Sequence, residues 1–101
     1  MIYLIEISKF AAEDLAKLDK PIIIQILQYL NKDITECNDP TKFGKLLTGD
    51  LSGLYLYRAG DYRIVCILEQ VKLTVVAIVI SHRKNIYQKL RLVYRKLADH
   101  S

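Results

Sequence analysis

The nine residues from Leu73 to Ser81, LTVVAIVIS, constrain the fold of this chain more than any other stretch. Side chains alternate between the two faces of a strand, and here both alternating sets are apolar. Such a strand has to be covered on both faces, which places it in the middle of a sheet with other layers on either side. Its β-branched residues favour a strand over a helix.

Two more strands precede it. LYLYR (54–58) alternates with period two, AGD supplies a turn, and YRIVCILE (62–69) reads as a strand, with QVK as the next turn. The first half has a different period. IYLIEIS (2–8) is a first strand. Ser8 is a suitable N-cap for a helix over 9–18, where Ala11, Leu15 and Leu18 form one apolar face. Pro21 fits the first turn of a second helix, in which Ile23, Ile26, Leu27, Leu30 and Ile34 continue at helical spacing to about Cys37. Residues 38–53, with Asn38, Asp39, Pro40, Gly44, Gly49 and Gly53, read as a long loop. After SHRKN, a basic amphipathic helix at about 84–98 carries Ile86, Leu90, Val93 and Leu97. The order β-α-α-β-β-β-α predicts an α+β fold: one domain over 1–101, with a small, mostly antiparallel sheet packed by an N-terminal helical hairpin.

Charge is uneven along this order. The net charge is +4, and from Arg83 to Lys96 there are six cations and no carboxylate. A one-sided positive field suits a polyanion or an acidic protein, and equally a solvated helix face. Cys37 and Cys66 form no metal-spaced set and read as small buried hydrophobes of a reducing compartment. The segment MIYLIEISKF is too short and too acidic for a signal peptide, and no apolar run reaches the length of a membrane span, so a cytoplasmic location is expected.

The chemistry-bearing residues are arginine-centred. There is no phosphate-cradling glycine loop, no HExxH and no nucleophile elbow, and neither a metal nor a cofactor is expected. What remains is Arg58, Arg63 and Arg83, with His82, Lys84 and Tyr87 nearby. Arg63 lies one residue inside an apolar strand, so its guanidinium must meet water, a carboxylate such as Asp61 or Glu69, or a bound anion. Guanidinium groups bind phosphate bidentately and stay charged. A two-residue turn at Ala59–Gly60 would put Leu56 opposite Arg63, with Leu54 and Arg58 on the same face. A three-residue loop at Gln70–Lys72 would bring Arg83 to that face. A two- or four-residue loop would bring His82 instead. Tyr55 and Tyr57 are expected to cover one sheet face rather than stack on bases.

LSGLYLYRAGDYRIVCIL, then the Val/Ile strand, then SHRKNIY resembles the RelE/ParE toxin superfamily. The shared pattern is L-x-G-x-[YW]-R-x-R-x-G-x-[YW]-R-[ILV], a strand, and H-R-x-x-x-Y. The likeness runs from residue 1 to about 90. It implies the toxin half of a type II toxin–antitoxin pair, with a cognate acidic antitoxin as partner. The RelE branch implies a ribosome-dependent endoribonuclease acting on mRNA without metal, by attack of the ribose 2′-OH on the adjacent phosphate. By position, Arg63 would hold the scissile phosphate, Arg83 would act at the leaving 5′-oxygen, and Tyr87 would orient the 2′-OH. Arg58, Lys84 and Lys45 would bind the RNA backbone. Leu54 and Leu56 stand where well-known relatives carry lysines, which makes His82 a candidate base because imidazole exchanges protons near neutral pH. The same departure keeps two alternatives open: a ParE-type, non-catalytic inhibitor of DNA gyrase, and a toxin with weakened RNase activity.

Overall fold

The computed structural model of the protein describes residues 3–36 and 39–99, and side chains up to residue 96. Cys37, the expected end of the second helix, and His100 lie outside the described residues. A five-stranded sheet runs in the order β1-β5-β4-β3-β2. The strands are β1 (Leu4–Ile7), β2 (Lys45–Leu46), β3 (Tyr55–Ala59), β4 (Tyr62–Glu69) and β5 (Thr74–His82). β1 pairs with β5 in parallel, and the other pairs are antiparallel. β5 therefore lies between β1 and β4, which is why its sequence is apolar on both faces.

The expected α+β architecture is present, with one addition. The stretch read as a long loop contains the short edge strand β2, paired to β3 through Lys45 opposite Leu56 and Leu46 opposite Tyr55. Two residues of pairing are too few for a period-two pattern to register. Single 3₁₀ turns at Pro40–Lys42 and Gly49–Leu51 flank it.

Helix α1 (Lys9–Ala16) is capped by Ser8, whose hydroxyl accepts from the Ala11 N–H. Helix α2 (Lys20–Gln28) has Pro21 in its first turn. It then widens through residues 29–34, where the Leu30 carbonyl accepts from both the N–H and the hydroxyl of Thr35. The hairpin covers one sheet face, burying Ala11, Leu15, Ile26, Leu30 and Ile34 against Tyr57, Ile64, Cys66, Val75 and Ile80. Tyr57 is fully buried there, and its hydroxyl donates to the Pro40 carbonyl at 2.8 Å. Burial pushes the Cys66 thiol up, so it stays protonated and inert.

Helix α3 (Ile86–Asp99) covers the other face. Its Ile86, Leu90 and Val93 pack on Leu54, Leu56, Val65, Ile78 and Val79. No helix among the described residues is long and apolar enough to cross a membrane.

The two layers meet through one carboxylate. β1 ends at Ile7, which leaves the outer edge of β5 beyond Ala77 without a neighbouring strand. The Asp14 side chain on α1 fills that gap by accepting from the Ile80 N–H at 3.0 Å, and it also forms an ion pair with Lys89 on α3. Asp14 is buried, and Lys89 is about two-thirds covered. Losing this acceptor strands both a backbone donor and a cation. We expect Asp14→Ala to lower stability by about 2–3 kcal/mol, read as a shifted midpoint in urea unfolding. A variant with an unchanged midpoint would show that α3 is held by its apolar face alone.

Candidate functional site

Gly60 and Asp61 form the turn between β3 and β4, one residue later than the Ala59–Gly60 turn expected from the sequence. Gly60 takes φ of +62°, while Asp61 has no positive φ, the pattern of a type II′ hairpin turn. A Cβ there would stand 2.7 Å from the Gln25 amide nitrogen, the end of a flexible side chain that can shift, so the positive φ is what asks for glycine. The shift moves the register by two residues. Leu56 lies opposite Val65, and Arg58 lies directly opposite Arg63. Parity survives a two-residue shift, so Leu54, Leu56, Arg58 and Arg63 still share one face.

The second turn contains four residues, Gln70 to Leu73, which by simple alternation would bring His82 to Arg63's face. A β-bulge reverses that outcome. Val65 pairs with Val79 and Cys66 with Ala77, so Ile78 is an extra residue on β5. Beyond it, Arg63 lies opposite Ser81 and Tyr62 opposite His82. The ladder continues one step further, where the Arg83 N–H donates to the Asp61 carbonyl at 2.8 Å. Arg83 therefore follows Ser81 on Arg63's side. The apolar content of β4 and β5 cannot reveal the bulge, because both faces are hydrophobic.

One row across the sheet thus reads Arg58, Arg63, Ser81, with Arg83 just beyond. Like charges placed directly opposite each other on neighbouring strands are destabilising. Among the described residues, no carboxylate lies within 4 Å of the Arg58 or Arg63 guanidinium. Arg63 instead donates to the carbonyls of Gly60 and Tyr62, at 2.9 and 3.0 Å, which fixes it at the hairpin tip. Neither Asp61 nor Glu69 neutralises it. Arg83 approaches Asp61 only at 3.9 Å, with both side chains more than half exposed. Such a contact is worth less than about 1 kcal/mol. Three guanidinium groups at one end of a sheet face are therefore available to an anion.

The remaining candidates divide between the two faces. Tyr87 is 41% exposed at the start of α3, which begins on the arginine side. Lys84 is exposed in the β5–α3 turn. Lys45 on β2 is exposed and lies opposite Leu56, so it belongs to the arginine face. His82 is on the hairpin face, edge-on to the Tyr62 ring at 5.5 Å. Its Nδ1 accepts from the Lys84 N–H at 3.2 Å, which ties the imidazole to the turn. Leu54 and Leu56 are buried beneath α3 and hold that helix in place. The sequence reading overlooked Asp14, although its place three residues after Ala11 put it on the apolar face of α1.

Comparison with known proteins agrees with this architecture. Residues 5–87 match the family described as ParE toxin of type II toxin–antitoxin system, parDE. The chain is 33% identical over 86 residues to the toxin RelE of Mycobacterium tuberculosis, covering 85% of this chain and 87% of that one. It is 29% identical over 89 residues to the toxin RelG of the same organism, covering 88% of this chain and all of the relative. The crystal structure of the RelBE2 toxin–antitoxin complex from that organism contains a chain that superposes with a TM-score of 0.76 at 27% identity, covering 81% of this chain and 99% of that one.

The Gly60 turn offers a direct check of how the site is held. Gly60→Ala should cost about 1–2 kcal/mol through its left-handed backbone, measured by urea unfolding. Adding Gln25→Ala should relieve only the steric part. Wild-type stability in the single variant would contradict the turn geometry.

Proposed function

This chain belongs to the RelE/ParE family, the toxins of type II toxin–antitoxin systems, and from that premise we propose that it is a ribosome-dependent endoribonuclease. The observation that carries this reading is the direct opposition of Arg58 and Arg63, which have no carboxylate partner among the described residues and stand beside a loosely held Arg83. A phosphodiester satisfies such a row. A buried salt bridge would not leave it open.

The reaction follows from the groups at hand. The ribose 2′-OH gives up its proton as its oxygen attacks the adjacent phosphorus, charge builds on the non-bridging oxygens, and the departing 5′-oxygen takes up a proton. The P–O5′ bond then breaks, leaving a 2′,3′-cyclic phosphate and a 5′-hydroxyl. Arg63, preset by the turn carbonyls, holds the scissile phosphate and offsets the developing charge. Arg83 stabilises the leaving 5′-oxygen once it swings off Asp61. Tyr87 orients the 2′-OH from the start of α3. Arg58, Lys84 and Lys45 hold flanking phosphates, and these contacts require no metal. The leucines at 54 and 56 are committed to the α3 core, so no lysine acts from those positions. His82 contributes by fixing the β5–α3 turn that carries Arg83 and Lys84, from the far side of the sheet.

A cognate antitoxin is the natural partner of this surface, as in the RelBE complexes among the structural relatives. An acidic segment laid over the arginine row would keep RNA out.

We expect the purified protein to cut mRNA on programmed ribosomes and to leave 5′-hydroxyl ends. Arg63→Ala and Arg83→Ala should each slow cleavage by about 10²-fold or more, with little change in unfolding midpoint. If the wild type leaves ribosome-bound mRNA intact but blocks gyrase supercoiling, the toxin is a ParE-type inhibitor of gyrase.

A further inference from the structure

The segment leading into β2 is closely fixed, yet it exposes an aromatic ring. The Asp39 carboxylate accepts from the Thr41 N–H at 3.1 Å and from the Thr41 hydroxyl, which holds its carboxyl below the usual range. The buried Tyr57 hydroxyl donates to the Pro40 carbonyl, and the Phe43 N–H donates to the same oxygen at 3.3 Å. Gly44 lies against the Tyr57 ring so closely that a Cβ would sit 3.0 Å from it. A loop pinned at Asp39, Pro40, Thr41, Phe43 and Gly44 has the means to bury its ring. Instead Phe43 is 53% exposed, between exposed Lys42 and Lys45.

An outward aromatic ring flanked by cations is the composition of a base-stacking platform for single-stranded nucleic acid, where the ring takes a base and the lysines take phosphates. Its position points the same way. Lys45 lies opposite Leu56, two residues from Arg58 on the same face, so sheet geometry puts Lys45 about 8 Å from Arg58. Lys45, two residues after the ring, thus stands beside one end of the arginine row, while the ring itself lies at the β2 edge of the sheet. The nearest acid in sequence, Asp39, is held ionised by Thr41, so Lys42 and Lys45 together outweigh one negative charge there.

We propose that Phe43 stacks on a base of the RNA strand as it leaves the arginine row over the sheet edge, with Lys42 and Lys45 holding the backbone on either side of it. This inference rests on the RNA-cutting reading and adds a subsite to it. The ring contributes mainly to holding the strand.

The test uses the full chain and a fluorescent oligoribonucleotide carrying 2′-O-methyl groups, which cannot be cleaved, followed by anisotropy at low salt. Phe43→Ala should weaken binding about tenfold with an unchanged thermal midpoint, and Phe43→Trp should restore it. In a series with a single abasic site walked along the strand, one position should bind wild type and Phe43→Ala equally. If Phe43→Ala binds like wild type while Arg63→Ala binds poorly, the platform is wrong and the phosphate site stands. If neither wild type nor any variant binds the free strand, the platform is wrong, and the RNA-cutting reading is decided separately by cleavage on programmed ribosomes. If Phe43→Ala loses affinity only for the antitoxin, the ring is a protein contact and the proposal is overturned.

Discussion

Everything at this site depends on one extra residue in a ladder. Ile78 has no partner on β4, and that bulge sets the phase of the last four residues of β5. Without it, the four-residue β4–β5 loop would turn Arg83 toward the helical hairpin and His82 toward Arg63. With it, Ile78 and Val79 both pack under α3, and the three arginines gather at one end of the same face. The bulge therefore serves the core and the site at once. The apolar residues accept the phase change because both faces of β5 are covered, while the polar residues beyond Ile80 are sorted by it.

Asp14 secures the frame around that end. It supplies the acceptor that a sixth strand would have given Ile80, and it reaches Lys89 on the opposite layer. Ile80 is one residue from Ser81 and three from Arg83, so the contact steadies the strand that delivers the site. The two hairpin anchors, Gly60 with its left-handed backbone and Arg63 with its turn carbonyls, do the same from β4. Arg63, held by those carbonyls, costs little to organise when an anion arrives.

Much of this was legible in the sequence. The both-face apolar run gave a central strand, and the helical spacing of Ala11, Leu15 and Leu18 and of Ile86, Leu90 and Val93 gave the layers. Ser8 and Pro21 marked helix starts correctly. Parity alone put Arg58 with Arg63. What sequence could not supply was phase. The β3–β4 register differs by two residues from the expected one because a GD turn and an AG turn look alike in composition. The bulge at Ile78 leaves no compositional trace in an all-apolar strand. β2 was missed because two residues carry no periodicity, and with it went the placement of Lys45 beside the arginine row. The sequence left open a carboxylate partner for Arg63, and structure answers with backbone carbonyls instead.

The central claim is that Arg58, Arg63 and Arg83 act as one anion site, and arginine side-chain NMR addresses it most directly. The Nε–Hε signals of the three residues would be followed while a 2′-O-methyl dinucleotide is added to the full chain. The account predicts that all three signals move along one binding curve and that Arg63→Ala abolishes the response of the other two. Signals that move with separate affinities, or an Arg83 signal that stays with Asp61 throughout, would contradict it.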